Sequence, residues 1–598
     1  MKICHAKVHN WRSIKDLEID FQNIMIFIGQ NNHGKSNVLT SLLFFFGEIP
    51  CTELDFKKGS EELFVEVEFS DLDDHDKSQF SKYVTANGHI RVRKQIKKGE
   101  NFEYHGFCEI PQDDWLKEEN IGDYPTREKI NATPLKDYVV ATGRVTKENI
   151  KEAQEKYISE NRGNITFRYD LEITNFLGLK TVAQGIFGNI FFIPAVKNAT
   201  EEFNVKGKSI FNQLLSSVIN EMSSSNQQYI EVKKKISELT QILNKNISDG
   251  SLNTDRPEQI NKLERIIEDE LKKWHTTINI EITPPDIDEV LKLGTSVWID
   301  DGVPTDITRK GHGLQRALIF ALIKSWANVS KEMKNKNDEN AEGKSKRKAS
   351  ESNYFIFEEP ELYLHPQAQR ELFYSLKELS ELNNQVLLST HSSSFIDLKM
   401  YRSICKVYKN QVDEGSKILQ CTEDLFTVDD DKKNFNMSYW INPDRGELFF
   451  AEKVILVEGA TDKTVIPYLA ENLSTYKFEY TMIDCGGKDN IKIYAHLLNK
   501  FKLPYVAVYD KDNQSSKNSD AINVANKSSQ DIEETIDKSL GSSIIFENDI
   551  EEEIGISDEV NKNKPYFALK MVSEKDFAIN EKLKKKVEEI YREKLYGN

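Results

Sequence analysis

Cysteine is scarce in this chain: six residues among 598 (Cys4, Cys51, Cys108, Cys405, Cys421 and Cys485), none in a Cys-x-x-Cys pair. That spacing offers neither a disulfide framework nor a zinc site. Missing too is any apolar run approaching the ~20 residues of a membrane span. The first residues, Met1-Lys-Ile-Cys-His5, enter a strand pattern and not a signal peptide, so a cytoplasmic protein with no membrane partner is expected. Positive charge is also short, with 80 basic against 97 acidic side chains and a net charge of −17. This excludes a chain that coats nucleic acid through its overall charge. A local basic track stays open, because phosphate contacts act within a Debye length of ~8–10 Å. What is there is length enough for roughly three or four domains.

Residues 1–50 read as strand, turn and strand. The second apolar run, Ile24 to Ile28, ends in Gly29-Gln-Asn-Asn-His-Gly-Lys-Ser36, and a helical stretch, Asn37 to Phe46, follows. This is G-x-x-x-x-G-K-S between a buried strand and a helix, the context the motif requires. Its glycines let backbone N–H groups wrap a phosphate at a helix N-terminus. Lys35 would reach the β- and γ-phosphates, and the Ser36 hydroxyl would ligate Mg²⁺. A chance glycine loop is the alternative, disfavoured by this context.

Further on, 61–110 alternates as antiparallel strands, 111–180 is uninformative, and Phe187 to Pro194 reads as a buried strand. Between 205 and 275 the period becomes helical. The stripes are Ile210, Leu214, Leu215, Val218, Ile219 and Met222; then Val232, Ile236, Leu239, Ile242 and Leu243; then Leu263, Ile266, Ile267, Leu271 and Trp274. They suit internal packing or an arm that pairs two subunits. Lys310-Gly-His-Gly-Leu-Gln-Arg316 leads into an apolar helix, Ala317 to Ala327, and the polar segment 328–353 is expected to be a mobile loop. Next, Tyr354 to Phe357 reads as a buried strand that delivers Glu358 and Glu359 at its end, within Glu-Glu-Pro-Glu-Leu-Tyr-Leu-His-Pro366. A helix, Gln367 to Leu382, and a strand, Gln385 to Leu388, then reach Ser389-Thr-His391. Glu358 suits a Mg²⁺ shell, Glu359 an attacking water and His391 a γ-phosphate.

In this order the motifs resemble ABC-type ATPase heads of the recombination and SMC group. The resemblance implies two heads that sandwich ATP, with contacts from Gly29, Asn32, Gly34, Lys35, Ser36, Glu358 and His391. It further implies that Gly313 and Gln315, in the signature segment of one head, face the phosphate loop of the other. Glu358 stands where many such heads have Asp, His312 replaces the usual signature Ser, and Leu314 its second Gly. The insert is far too short for the long coiled coil of an SMC protein.

After a poorly patterned bridge, 400–450, a second α/β unit begins. Strand Lys453 to Val457 is followed by Glu458-Gly-Ala-Thr-Asp462 and a helix to Leu473. A strand near Tyr480 to Ile483 meets Gly486-Gly-Lys488, a helix runs from Asp489 to Phe501, and strand Tyr505 to Tyr509 ends in Asp510-Lys-Asp512. Alternating β and α elements imply a parallel sheet with its site beyond the strands' carboxyl ends, where Glu458 and Asp510 fall. Acids clustered there would bind two divalent ions and activate water at a phosphodiester. This half resembles a Toprim domain, and its pairing with an ABC head is similar to the OLD (overcoming lysogenization defect) family nucleases.

The resemblance implies metal binding by Glu458, Asp462, Asp510 and Asp512, a later acid at Glu551 (alternatively Glu552 or Asp549), and a charge-stabilising lysine at Lys564 (with Lys562 beside it). The expected fold is α/β: an ABC/SMC-like ATPase head, 1–204 and 291–425, interrupted by a helical dimerisation arm, 205–290, and followed by a Toprim domain, 426–598. The implied function is an ATP-hydrolysing, metal-dependent DNA endonuclease of anti-phage defence. ATP and Mg²⁺ are its cofactors, with Mn²⁺ or Ca²⁺ as substitutes at the Toprim site. It would be a homodimer or higher oligomer, acting alone, with a helicase as in Gabija systems, or beside a retron reverse transcriptase. The rival reading is an ATP-driven DNA-binding or repair protein of the SMC/RecF type with an inert Toprim domain.

Overall fold

The computed structural model describes residues 1–123, 126–139, 145–179, 185–195, 226–246, 251–271, 277–282, 297–337, 352–381, 384–411, 414–425, 443–511, 519–556 and 563–593, with scattered residues between 209 and 219. By contact it divides into two compact units, one made of 1–195, 344–362 and 366–598 and the other of 196–343 and 363–365. The segment 291–343 therefore groups with the helical insert. Among the described residues no helix is long and apolar enough to cross a membrane.

The first unit opens with β1 (Lys2–His9), β2 (Asp16–Asp20) and β3 (Ile24–Ile28), then α1 (Lys35–Phe46). Strands β4 (Glu62–Ser70), β5 (Ile90–Lys97), β6 (Glu103–Pro111) and β7 (Phe167–Leu171) join the first two in an antiparallel sheet of order β2-β1-β4-β5-β6-β7. β3 leaves that sheet, because all five of its residues are buried and need cover on both faces. It becomes the third strand of the nucleotide sheet. That sheet also holds β8 (Asn189–Ile193), β9 (Asn353–Glu358), β10 (Gln385–Ser389), β11 (Ile404–Tyr408) and β12 (Lys417–Gln420) in the order β12-β11-β3-β10-β9-β8, parallel except for β12.

α1 lies between the two sheets. Its Val38, Leu39 and Leu42 to Phe46 are buried in one cluster with Val65, Val67 and Phe69 of the first sheet and Phe27, Tyr354 and Ile356 of the second. Gln385 ties the sheets by polar contact. Its side chain accepts from Ile3 N–H at 2.9 Å and donates to Ile3 O at 2.8 Å, both out of water, and to Gln22 O at 3.0 Å.

Two expectations are corrected here. The bridge 400–450 contains β11 and β12, which belong to the nucleotide sheet; Lys406 interrupts the apolar run Ile404 to Val407 and hid the strand. The loop expected from 328 is helical as far as Asn337, because the helix that begins at His312 continues through Ser-Lys-Glu-Met-Lys, a run of good helix formers. Residues 338–351 lie outside the described part.

In the same unit the C-terminal sheet comprises β13 (Lys453–Val457), β14 (Tyr480–Asp484), β15 (Tyr505–Asp510) and β16 (Gly541–Phe546), parallel throughout in the order β14-β13-β15-β16. Two helices flank its early strands, one over Ala460–Asn472 and one over Lys488–Lys500.

The second unit holds helices Gln227–Leu243, Glu258–Glu270 and His312–Asn337. Val232, Leu239, Ile242, Leu263 and Ile266 are exposed, so the second and third stripes are not consumed by packing within the described chain. Of the first stripe, Leu215 and Ile219 pack near Tyr229, and Ile210, Leu214, Val218 and Met222 lie outside the described residues, as does Trp274.

Truncating Gln385 tests the clamp between the sheets. Gln385→Ala strands a buried N–H and a buried C=O, so a loss of about 2–6 kcal/mol is expected at ~1–3 kcal/mol per group, read as a lowered denaturant midpoint.

Candidate functional site

At the nucleotide sheet, register does the positioning. Glu358 pairs with Ser389, Ser389 with Phe27, and Thr390 N–H donates to Phe27 O at 3.0 Å. The ends of β9, β10 and β3 are therefore level, and the acids, the histidine and the phosphate loop leave the sheet side by side. Gly34 takes φ +106 to cap α1, and Asn32 sits at φ +64, which a short amide side chain tolerates.

Lys35 is buried, and its ammonium donates to the carbonyls of Gly29 at 3.0 Å and Gln30 at 3.1 Å. Burial holds its pKa below the ordinary value, with Glu359 and Glu361 opposing that shift. The Ser36 hydroxyl hydrogen-bonds Glu358, whose carboxyl is raised mainly by burial. The two groups expected to share a cation are thus already in contact. Glu359 has a left-handed backbone, φ +42, which swings its carboxylate off the strand axis toward β10. There Glu359 Oε1 lies 3.7 Å from Nε2 of His391. That buried Nε2 makes no hydrogen bond, and burial and then Lys35 lower the imidazole pKa. A donor left without an acceptor beside a phosphate loop fits a nucleotide's terminal phosphate.

Glu361 was not singled out from sequence. It accepts from His391 N–H at 2.6 Å and so fixes the turn that carries the histidine. Its signal was its place in the same acidic run.

Gly313 and Gln315 belong to the second unit. Gly313 approaches Tyr363 O so closely that a Cβ would lie 3.2 Å away. The Gln315 amide is buried and donates to the carbonyls of Lys310 at 2.8 Å and Ile307 at 3.2 Å. Within this chain, Gln315 therefore closes its own loop.

The C-terminal sheet gathers a second set of acids. Glu458 follows β13, Asp510 ends β15, and Glu458 Oε1 accepts from Asp510 N–H at 2.7 Å. Asp462 sits in the first turn of the helix after β13, accepting from Gly459 N–H at 3.3 Å. It is buried, and its pKa is pushed up to about 8, first by burial and then by the nearby carboxylates of Glu458, Glu551 and Asp484. Glu551 faces Lys564, with Nζ 4.0 Å from Oε1.

Acids that raise one another's proton affinity this way suit a cation, and the donor set, all carboxylate oxygen, fits Mg²⁺, Mn²⁺ or Ca²⁺. Sequence reading missed Asp484, although it ends β14 beside Val457 and the rule that found Glu458 and Asp510 applies to it equally. It also missed Lys488, a buried residue whose ammonium donates to Asp510 O. Asp512 and Lys562 lie outside the described residues.

Comparison with known proteins finds two family matches in this chain. The family described as AAA ATPase domain matches residues 1–396, and that described as overcoming lysogenization defect protein-like, TOPRIM domain, matches 449–512. The Old nuclease of Escherichia phage P2 is 28% identical over 335 residues, covering 54% of this chain and 53% of that protein. The OLD nuclease of Thermus scotoductus is 32% identical over 160 residues, 26% of this chain and 30% of that protein. Endonuclease GajA of Bacillus cereus is 25% identical over 186 residues, 27% and 26% respectively. The chain thus spans about half the length of the phage protein and less than a third of the other two.

The acid cluster makes a pH prediction. Asp462 is uncharged in the metal-free fold up to about pH 8 and charged in the unfolded chain above about 4, so each step of ionisation favours unfolding. Metal-free protein should lose thermal stability as pH rises toward and through 8. Asp462→Asn should flatten that slope, as measured by thermal unfolding in chelator at pH 6 to 9.

Proposed function

The chain belongs to the AAA ATPase domain family and carries an OLD-like Toprim domain, as the OLD family nucleases do, and we propose that it is an ATP-hydrolysing, divalent-metal-dependent DNA endonuclease. The observation that carries the nuclease half is the buried carboxyl of Asp462 beside Glu458 and Glu551, with Lys564 at 4.0 Å from Glu551. Carboxylates brought together from two strand ends and two helices, one of them buried and raised by the others, suit a bound cation. Bound nucleotide supplies the anhydride to be hydrolysed, and divalent ions at the two sites supply charge compensation and an acidified water.

The chain's own residues do the rest. Lys35 turns from the carbonyls of Gly29 and Gln30 to the phosphates, and Ser36 with Glu358 holds the nucleotide's cation. Glu359, bent toward His391, accepts a proton from the attacking water, while His391 Nε2 donates to the terminal phosphate. In the Toprim unit, Glu458, Asp462, Asp510 and Glu551 would hold the metals, with Asp484 joining them and Asp512 completing the Asp-x-Asp motif. Lys564 meets charge at the cut phosphate, and the Lys488 ammonium fixes the backbone of Asp510.

A soluble homodimer in the cytoplasm, active in anti-phage defence, fits the same reading. The uncovered stripes of the helical arm, Val232, Leu239 and Ile242 with Leu263 and Ile266, support pairing of two copies. Gly313 and Gln315 would then face the phosphate loop of the partner copy. A helicase or a reverse transcriptase with its nucleic acid is the companion expected for such a nuclease when it does not act alone.

Glu458→Ala should abolish nicking of supercoiled plasmid in Mg²⁺, Mn²⁺ and Ca²⁺ while ATP hydrolysis continues; retained cutting would remove the catalytic role of the Toprim acids, whereas plasmid left uncut by the wild-type protein in all three metals would favour an ATP-driven DNA-binding protein. Leu239→Glu combined with Ile266→Glu should shift the protein toward monomer in light scattering, and an unchanged mass would remove the arm from the interface.

A further inference from the structure

Between the phosphate loop and the C-terminal sheet lies a cavity of about 640 Å³. Gly29, Gln30 and His33 of the loop line it with His391, and β11 adds Lys406 and Tyr408. From the other side come Phe449 to Ala451, Lys502, Pro504 and Leu540. These last residues share one property: each stands just before a strand of the C-terminal sheet, ahead of β13, β15 and β16. The cavity therefore touches the amino edge of that sheet, while Glu458 and Asp510 occupy its carboxyl edge. At ~3.3 Å per residue, strands of five and six residues separate the two by roughly 17–20 Å.

The lining has a charge pattern at odds with the chain. Among the described residues no acidic side chain lines this cavity, whereas Lys406, Lys502, His33 and His391 all do. Neither lysine ammonium has an ion pair or hydrogen bond among the described residues. Burial alone brings Lys406 down to about 8, and burial first, then Lys35 with smaller contributions from Lys409 and Lys406, depresses His33. Two lysines without a carboxylate partner, lining one cavity beside a phosphate loop, mark a place for a bound anion.

We propose that this cavity is a phosphate-binding site shared by the two catalytic units, in which Lys406 of the nucleotide sheet and Lys502 of the Toprim sheet close on one phosphate from opposite sides. The ligand is the terminal phosphate of a nucleotide on the loop, or the free phosphate that hydrolysis leaves. This rests on the reading that the phosphate loop holds nucleotide. Occupancy draws the amino edge of the Toprim sheet onto the loop, and the bridge is built to carry such a pull. Gly446 packs on Ile396 so tightly that a Cβ would lie 2.9 Å from it, and Phe449 meets Phe501 edge-to-face at 4.9 Å.

The test is equilibrium binding of ATPγS, ADP and inorganic phosphate to the full chain. Lys502 has a left-handed backbone, φ +47, which Asn tolerates, so Lys502→Asn removes the charge without straining the turn. If the nucleotide is the source, Lys502→Asn weakens ATPγS about ten-fold and leaves ADP within about two-fold, with Lys502→Arg restoring the difference. If free phosphate is the source, wild-type protein loaded with ADP binds inorganic phosphate and Lys502→Asn loses it about ten-fold. Wild-type affinity of Lys502→Asn for both ATPγS and phosphate overturns the proposal. Lys35→Ala separates the underlying reading: loss of ADP binding supports the phosphate loop, whereas unchanged ADP affinity defeats it, and the phosphate titration still judges the cavity.

Discussion

Everything at the nucleotide sheet depends on how closely β3 and β11 approach where the phosphate loop begins. A Cβ on Gly29 would lie 2.1 Å from Val407 O, and on Gly34 it would lie 2.3 Å from Ser416 Oγ. No side chain fits at either position. The loop is therefore pressed against the hairpin of β11 and β12, with Ser13 and Ser416 hydrogen-bonded at 2.7 Å beneath it. Because β11 also carries Lys406, the strand that seats the loop also lines the cavity that the loop shares with the C-terminal sheet. A loop free of this constraint would still be a glycine loop, but it would face no second domain.

The two acid sites solve the same electrostatic problem differently. At β9, Glu358 is raised by burial yet has Ser36 as donor, and Glu361 has His391 N–H; polar partners from the chain offset part of the desolvation. At β13, Asp462 has one weak donor, Gly459 N–H at 3.3 Å, and several acids around it. The first cluster can exist stably between turnovers, with a cation arriving alongside the nucleotide. The second is short of positive charge until metal binds, which ties its ordering to the metal more than to the nucleotide.

Much of this was legible because strands buried on both faces read as unbroken apolar runs. Ile24 to Ile28, Tyr354 to Phe357 and Lys453 to Val457 each announce a strand, and the residue at the end of each is where chemistry is expected. β11 failed that test because Lys406 sits mid-strand, and a lysine there looks like a boundary until the cavity beside it is known. Asp484 was hidden differently: its strand has only Ile483 buried among five residues, so it reads as a weak strand and its final acid as a surface group. The extension of the helix to Asn337 was missed because polarity was taken for disorder, although Lys, Glu and Met favour helix irrespective of exposure.

The placement of the basic cavity constrains how two chemistries in one chain can communicate. Acids at the carboxyl edge of a parallel sheet are set by the ends of β13 and β15, and both strands are almost wholly buried, so they move as rods and not as springs. If the proposed site exerts a pull at Lys502 or Phe449, it would reach Asp510 and Glu458 as a shift of the strand, with the hydrogen bond from Asp510 N–H to Glu458 keeping the pair together. What such a shift changes is the spacing of this pair against Asp462 and Glu551, which stand on separate helices. Metal geometry is sensitive to that spacing, since ligand distances tolerate only a few tenths of an ångström. Communication by rigid strands needs no unfolding and no large rearrangement, only a phosphate that is either present or absent at the far edge.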